Sequence, residues 1–346
     1  MTTYEAAAGD RRIAVLGTGA NGAGIGADMV LAGHDVTFIE QWPAHVEAMR
    51  RNGVRIDMPN ESVITPVRVH HLCEVAEMRE PFDIVFVVVK AYDTRWACEL
   101  IAPLLTERSL VVGVQNGMSI DDMVDVVGIE RAVGAVIEIS SNMFEPGVVE
   151  RQSPPSKSWF ALGSLHDGAQ RRMDDVAAVL RAAGTVEISD DIRSSKWMKL
   201  VVNAAELVPS AILNLPLGAA TRVAGMREFM IQTGHEAMDA AIASGSTARP
   251  IFGLDHPVDD DPHALVDRLF DAVIDRYTLP TTRTTVLQDW LKGRRSEVDQ
   301  INGLVVRELG RAGRSAPLNE RVVHLAHRIE SGELDASPAN EELLLR

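Results

Sequence analysis

The uninterrupted apolar run Ile13-Ala14-Val15-Leu16 breaks off in Gly17-Thr18-Gly19-Ala20-Asn21-Gly22. A strand covered on both faces carries no polar alternation, so the run reads as a strand inside a parallel sheet. The three glycines then fall at the spacing of a dinucleotide-binding turn. Gly17 permits the tight bend, and Gly19 removes the side chain that would hold a pyrophosphate off the backbone amides. Gly22 lets the next helix, 20–32, pack close on the strand. The positive end of that helix faces the phosphates. Gly17, Thr18, Gly19, Ala20, Asn21 and Gly22 are therefore the candidate cofactor loop.

Glycines also end strands for structural reasons, so the flanking pattern decides. Gly33 reads as the residue closing the helix, and a second strand, Val36-Thr37-Phe38-Ile39, ends in Glu40. An acid about 20 positions past the glycines is where a carboxylate takes the adenosine-ribose hydroxyls. Buried strands at 83–89 and 110–114 end in Lys90 and in Gln115-Asn116-Gly117. In an open α/β sheet, ligands sit beyond the carboxyl ends of the strands. Shorter strands are expected at 54–56, 63–69, 131–139, 148–151 and 159–162, with helices at 44–51 and 168–183.

From about Ser194 helical periodicity takes over, with helices expected at 194–207 (Pro209 lying beyond its end), 222–244, 263–277, 297–312 and 319–331. The fold class expected is α/β: an N-terminal Rossmann-type dinucleotide-binding domain over 12–189 and an all-helical C-terminal substrate and dimerisation domain over 190–334. Residues 1–11 read as a disordered lead-in without the order of a secretory signal, and 335–346 as a mobile end or a short docking helix.

A formal net charge of −15 spread along the chain repels phosphate backbones and anionic lipid surfaces, so nucleic acid and membrane are not expected partners. No stretch approaches the roughly 18 apolar residues of a spanning helix. The two cysteines, Cys73 and Cys98, have no CxxC spacing, which argues for a reducing cytoplasm and against a thiolate-metal framework. An anionic substrate needs a local cluster of cationic or amide groups.

One such cluster lies on the first expected helix, where Lys199, Asn203 and Glu206 form a polar stripe at i, i+4 and i+7. A poorly solvated lysine has a lowered pKa and is a usable proton donor. A solvated lysine on a boundary helix is the alternative.

Two further stretches bear on that choice. Thr285-Val286-Leu287-Gln288-Asp289 and Glu297-Val298-Asp299-Gln300-Ile301-Asn302-Gly303 resemble, in sequence and separation, paired motifs of the ketopantoate reductase family. Trp197-Met198-Lys199-Leu200-Val201-Val202-Asn203 resembles its catalytic-helix motif, Val89-Lys90-Ala91 the segment after its fourth strand, and Asn116-Gly117-Met118 its cofactor-domain asparagine. The resemblance runs over roughly residues 12–318. It implies NADPH-dependent reduction of a 2-oxo acid, with Lys199 as general acid and Glu297 assisting or orienting it. It further implies that Asn203 and Thr285 hold the substrate's hydroxyl and carboxylate, that Asn116 and Lys90 lie between nicotinamide and substrate, and that no metal is needed.

Two departures refine that expectation. Glu40 stands where NADPH users place a basic or small polar residue, so NAD is favoured with NADP the alternative. Leu207 replaces an asparagine, so a substrate with a less hydroxylated or bulkier apolar chain is expected. Competing readings are an opine or 3-hydroxy-acid dehydrogenase of the same plan, or a silent dinucleotide sensor. The acidic stretch 255–263 reads as a solvated loop rather than a metal site, Glu138 either faces the crevice or ends a strand, and the cysteines are packing residues. Apolar surface on the helical domain suggests a homodimer.

Overall fold

The computed structural model describes residues 11–255 and 261–346. All but Arg11 of the expected lead-in, and residues 256–260 of the acidic stretch, lie outside the described residues. The described chain forms two compact units: residues up to Gln115 together with Ser119–Ile192, and Asn116–Met118 together with Arg193–Arg346. The change to helix falls close to the expected position 190, but three residues from the middle of the chain group with the helical unit.

The first unit carries twelve strands: β1 Arg12–Leu16, β2 Asp35–Glu40, β3 Val54–Met58, β4 Glu61–Thr65, β5 Arg68–His71, β6 Phe82–Val87, β7 Leu105–Gly113, β8 Ala132–Glu138, β9 Ser141–Glu145, β10 Val148–Arg151, β11 Trp159–Ser164 and β12 Thr185–Ile188. Eight of them form one sheet in the order β12-β11-β8-β7-β6-β1-β2-β5, and β4-β3-β10-β9 form a second. The large sheet is parallel except where β11 runs antiparallel to β8. Its middle strands bury both faces. Ile13, Val15, Ile84, Phe86, Leu110 and Val112 enter one apolar core, while Ala14, Leu16, Val85, Val87 and Val111 enter another. Two cores sharing one sheet explain why the sequence shows apolar runs rather than alternation.

Some expectations are corrected. The expected strand 63–69 is two strands in different sheets, parted at Pro66, whose missing N–H cannot continue a ladder. The expected helix 168–183 is Asp167–Gln170 followed by Met173–Leu180. β9 and β12 were not anticipated.

In the second unit the expected helix 194–207 runs from Ile192 to Ile212 and contains Pro209. A proline removes one helical hydrogen bond and crowds the preceding turn. Here side chains engage the carbonyls around it: Ser210 Oγ donates to Glu206 O at 2.6 Å, Thr284 Oγ1 to Leu207 O at 2.9 Å and Asn302 Nδ2 to Ala204 O at 3.0 Å. The helix ends under the C-terminal tail, whose Ser337 N and Asn340 Nδ2 both donate to Ile212 O. The tail itself folds as a short helix, Glu341–Leu345, with Leu344 buried. The expected helix 222–244 is Met226–Ala243, preceded by a short turn of helix Leu217–Ala220. The remaining expected helices are Pro262–Ala272 with a widened turn through Tyr277, Asn302–Arg311 and Pro317–Glu330.

Candidate active site

In the first unit the glycine loop is set mainly by backbone. Gly17 has φ +90° and its N–H reaches Ile39 O, while Val88 N donates to Leu16 O. A Cβ on Gly22 would run into the carbonyl oxygen of Gly17, and one on Gly17 would meet Val89. Only hydrogen fits at either place. The helix Ala20–Leu31 starts at Gly19 with no side-chain cap, so its first N–H groups have no side-chain acceptor. A Cβ at Gly19 would meet nothing within 4 Å. Open space in front of uncapped amides is the cradle a pyrophosphate needs, and these residues fit a dinucleotide.

Side chains brace this loop. Glu40 Oε2 accepts from Thr18 N at 2.7 Å and Thr18 Oγ1 at 3.0 Å, while Oε1 accepts from the N–H groups of Gln41 and Trp42, both at 2.9 Å. A carboxylate has about four acceptor positions, and all are engaged within the chain. Glu40 stands where expected, at the end of β2, but its hydrogen bonds tie the strand to the loop. His45, which sequence reasoning missed, donates Nε2–H to Thr18 O at 2.9 Å and accepts from Gly147 N through Nδ1 at 2.8 Å. Burial lowers its pKa, so it serves as a neutral brace in one tautomer. No local pattern marks it. Asn21 accepts from Ser141 Oγ at 2.6 Å. Lys90 follows β6 on the segment whose Val89 packs against Gly17 and is half-buried. Glu138 is the last residue of β8 and is buried.

The second unit assembles the other expected residues. Lys196, Lys199, Asn203, Leu207 and Ser210 lie along one stripe of the helix Ile192–Ile212. Asn203 Nδ2 donates to Asn116 Oδ1 at 3.1 Å, and Asn116 Nδ2 reaches Glu297 Oε2 at 3.5 Å. Thus Asn116, Asn203 and Glu297, distant in sequence, form one hydrogen-bonded series. Asn203 and Glu297 are buried and Lys199 is half-buried, with its Nζ 5.3 Å from the centre of the Phe252 ring. Thr285 Oγ1 is buried and makes no hydrogen bond within the chain, an orphaned hydroxyl beside Thr284, which holds Leu207 O. Such a group is costly to bury unless a ligand satisfies it.

Lys196, three residues before Lys199, was not singled out in the sequence. It is buried, and burial lowers its ammonium to about 8 against the opposing field of Glu297. Asn302 of the Ile-Asn-Gly motif is also structural: it joins Ala204 O to Asn319, which is in turn held by Glu236.

Elsewhere, Asp261 caps the helix Pro262–Ala272 by accepting from His263 N. Among the described residues no group of three or more His, Cys, Asp or Glu side chains is placed to hold a metal. Cys73 is exposed, and burial pushes the Cys98 thiol up to about 12, an inert packing residue.

With this geometry in hand, comparison with known proteins gives one consistent answer. A 2-dehydropantoate 2-reductase of Archaeoglobus fulgidus is 26% identical over 93% of this chain and 99% of its own length. One from Mesorhizobium japonicum is 27% identical over 92% and 97%. Among solved structures, a PanE/ApbA family ketopantoate reductase from Ralstonia eutropha superimposes with a TM-score of 0.76 at 28% identity, covering 93% of this chain and 99% of that one. A D-mandelate dehydrogenase with NADH and anilino(oxo)acetate shares the fold at a TM-score of 0.81 and 20% identity, covering 93% and 99%. The family profiles described as ketopantoate reductase PanE/ApbA and its C-terminal part match residues 13–164 and 191–330, and the chain belongs to the ketopantoate reductase family.

Proposed function

We propose that the chain reduces the carbonyl of a 2-oxo acid to a 2-hydroxy acid, or runs the reverse oxidation, with Lys199 as the proton donor. The observation that carries this reading is the Asn203–Asn116–Glu297 series, which begins at Asn203 on the same helix stripe as Lys199. Gly17 to Gly22 would hold the nicotinamide cofactor, which would supply the hydride when bound. As the carbonyl carbon gains that hydride, negative charge grows on its oxygen. An ammonium positioned there stabilises the charge and then gives up its proton, completing the alcohol. Asn203 and the unsatisfied Thr285 hydroxyl hold the substrate's polar groups, Lys90 and Asn116 flank the reacting centre, and Glu297 orients Asn116.

The cofactor is read as NAD(H), because the Glu40 carboxylate at the end of β2 opposes the added charge of a 2′-phosphate. The substrate is read as apolar-chained, because Leu207 presents an isobutyl group rather than an amide. The chain is further read as a cytoplasmic homodimer joined through the helical unit; among the described residues no helix is long and apolar enough to cross a membrane.

Steady-state oxidation of NADH and NADPH with ketopantoate, 2-oxoisovalerate, 2-oxoisocaproate and phenylglyoxylate tests the reading, with titration calorimetry of both cofactors. NADH turnover with at least one 2-oxo acid is expected. No turnover with any of them under either cofactor would favour a silent dinucleotide sensor.

A further inference from the structure

After the helix Met226–Ala243 the chain crosses back toward the start of the lysine-bearing helix, where Thr247 N donates to Ser194 Oγ at 2.9 Å. It then makes a tight turn in which Leu254 N donates to Ile251 O at 3.2 Å. Both central residues are left-handed, Phe252 at φ +63° and Gly253 at φ +65°. Two successive positive φ values define the primed turn, which glycine, asparagine and aspartate accept readily. Gly253 meets that preference; Phe252 does not. Among the described residues only Phe252 and Asn214 are non-glycine residues with positive φ, and asparagine tolerates the region through its short polar side chain.

A bulky side chain held there needs surroundings that enforce it, and such residues gather at functional sites. The surroundings here are specific. The Phe252 ring is 2% exposed, tilts 55° against Tyr277 at 5.8 Å, and lies 5.3 Å from Lys199 Nζ. Filling the core does not require this backbone, since the adjacent Ile251 is equally buried without it.

The geometry points to Phe252 as a positioning residue for the proton donor: its ring holds the Lys199 ammonium in place on the helix stripe it shares with Asn203. This rests on the reading of Lys199 as the donor. A lysine head on a four-carbon stem needs a partner to stay aimed when water is scarce. An aromatic face attracts that charge through its quadrupole and adds no basic site of its own.

Site-specific replacement of Phe252 by mono-, di- and trifluorophenylalanine in the full-length enzyme weakens the quadrupole while leaving the shape almost unchanged. The expected result is a stepwise fall in kcat, reaching roughly tenfold with the trifluoro ring. The melting temperature and cofactor Kd should hold, and Phe252→Trp should retain most of the activity that Phe252→Leu loses. A packing role alone leaves kcat flat across the fluorinated series. The same series in Lys199→Met separates the two ideas. If Lys199→Met is inactive and the fluorinated series is flat, this inference falls alone; if Lys199→Met turns over normally, the donor assignment falls and takes the inference with it.

Discussion

The glycine loop and the lysine helix are built by opposite means. At the loop, the candidate site is made of backbone: Gly17 and Gly22 leave no room for a carbon, and the groups at the helix start are uncapped amides. At the helix, the candidate site is made of side chains, drawn from Asn116, the 196–210 stripe, Phe252, Thr285 and Glu297. A backbone site has few tolerated sequences and fails abruptly. A side-chain site can be retuned residue by residue, and that is where relatives with one fold can diverge in substrate.

The largest effect should come from Lys199→Met, which keeps the packed stem and removes the proton. Turnover should fall on the order of 10²–10⁴-fold while NADH affinity, which the proposed reading assigns to the loop, should be unchanged. A parallel loss of NADH binding would break the separation of the two regions.

Gly22→Ala should do the converse. The new methyl must displace the Gly17 carbonyl, and a shift of about an ångström costs on the order of a hundredfold in a positioned site. The loss should fall on cofactor Kd, read by calorimetry, with kcat at saturating cofactor much less affected.

Leu207→Asn should sharpen the contrast by changing preference alone. An amide that pairs with a substrate hydroxyl is worth about 1–3 kcal/mol, so the ratio of kcat/KM for ketopantoate over 2-oxoisocaproate should rise several-fold to a hundredfold. Ketopantoate leading already in the wild type would remove the argument from Leu207.

The smallest effect is in stability. Burial lowers the folded-state pKa of Lys196 to about 8 from 10.5, so between those values the unfolded chain binds more protons. The contribution of this group to stability therefore rises with pH through that window, and below it the full cost of the buried ammonium is felt. Urea unfolding of the wild type and Lys196→Met from about pH 7 to about pH 10 should show the wild type gaining relative to the variant. Parallel curves would mean that water reaches Lys196.

The difference between the regions also explains what could be read from the sequence. The loop was legible because its requirements fall within six consecutive residues and each is met by a missing side chain. The placement of Glu40 was legible too, but its bonds to Thr18 and Trp42 were not, since spacing identifies a strand end and not its hydrogen-bond partners. Helical periodicity put Lys199 and Asn203 on one stripe but left a solvated lysine open, and the roles assigned to them, as to Asn116, Thr285 and Glu297, came from motif resemblance. His45 and Phe252 left no trace: one acts from a different helix through an unremarkable histidine, the other through a φ angle that no sequence pattern specifies. Pro209 misled because the hydroxyls and amide that help the helix tolerate it come partly from Thr284 and Asn302, far along the chain.

The grouping of Asn116–Met118 with the helical unit has a consequence for recombination. A chimera joined only at residue 192 would exchange the lysine, the amide at 203 and the acid at 297, yet leave their amide partner behind with the donor of the sheet. Grafting a new substrate range onto this cofactor domain therefore calls for two exchanged segments, one of them a tripeptide.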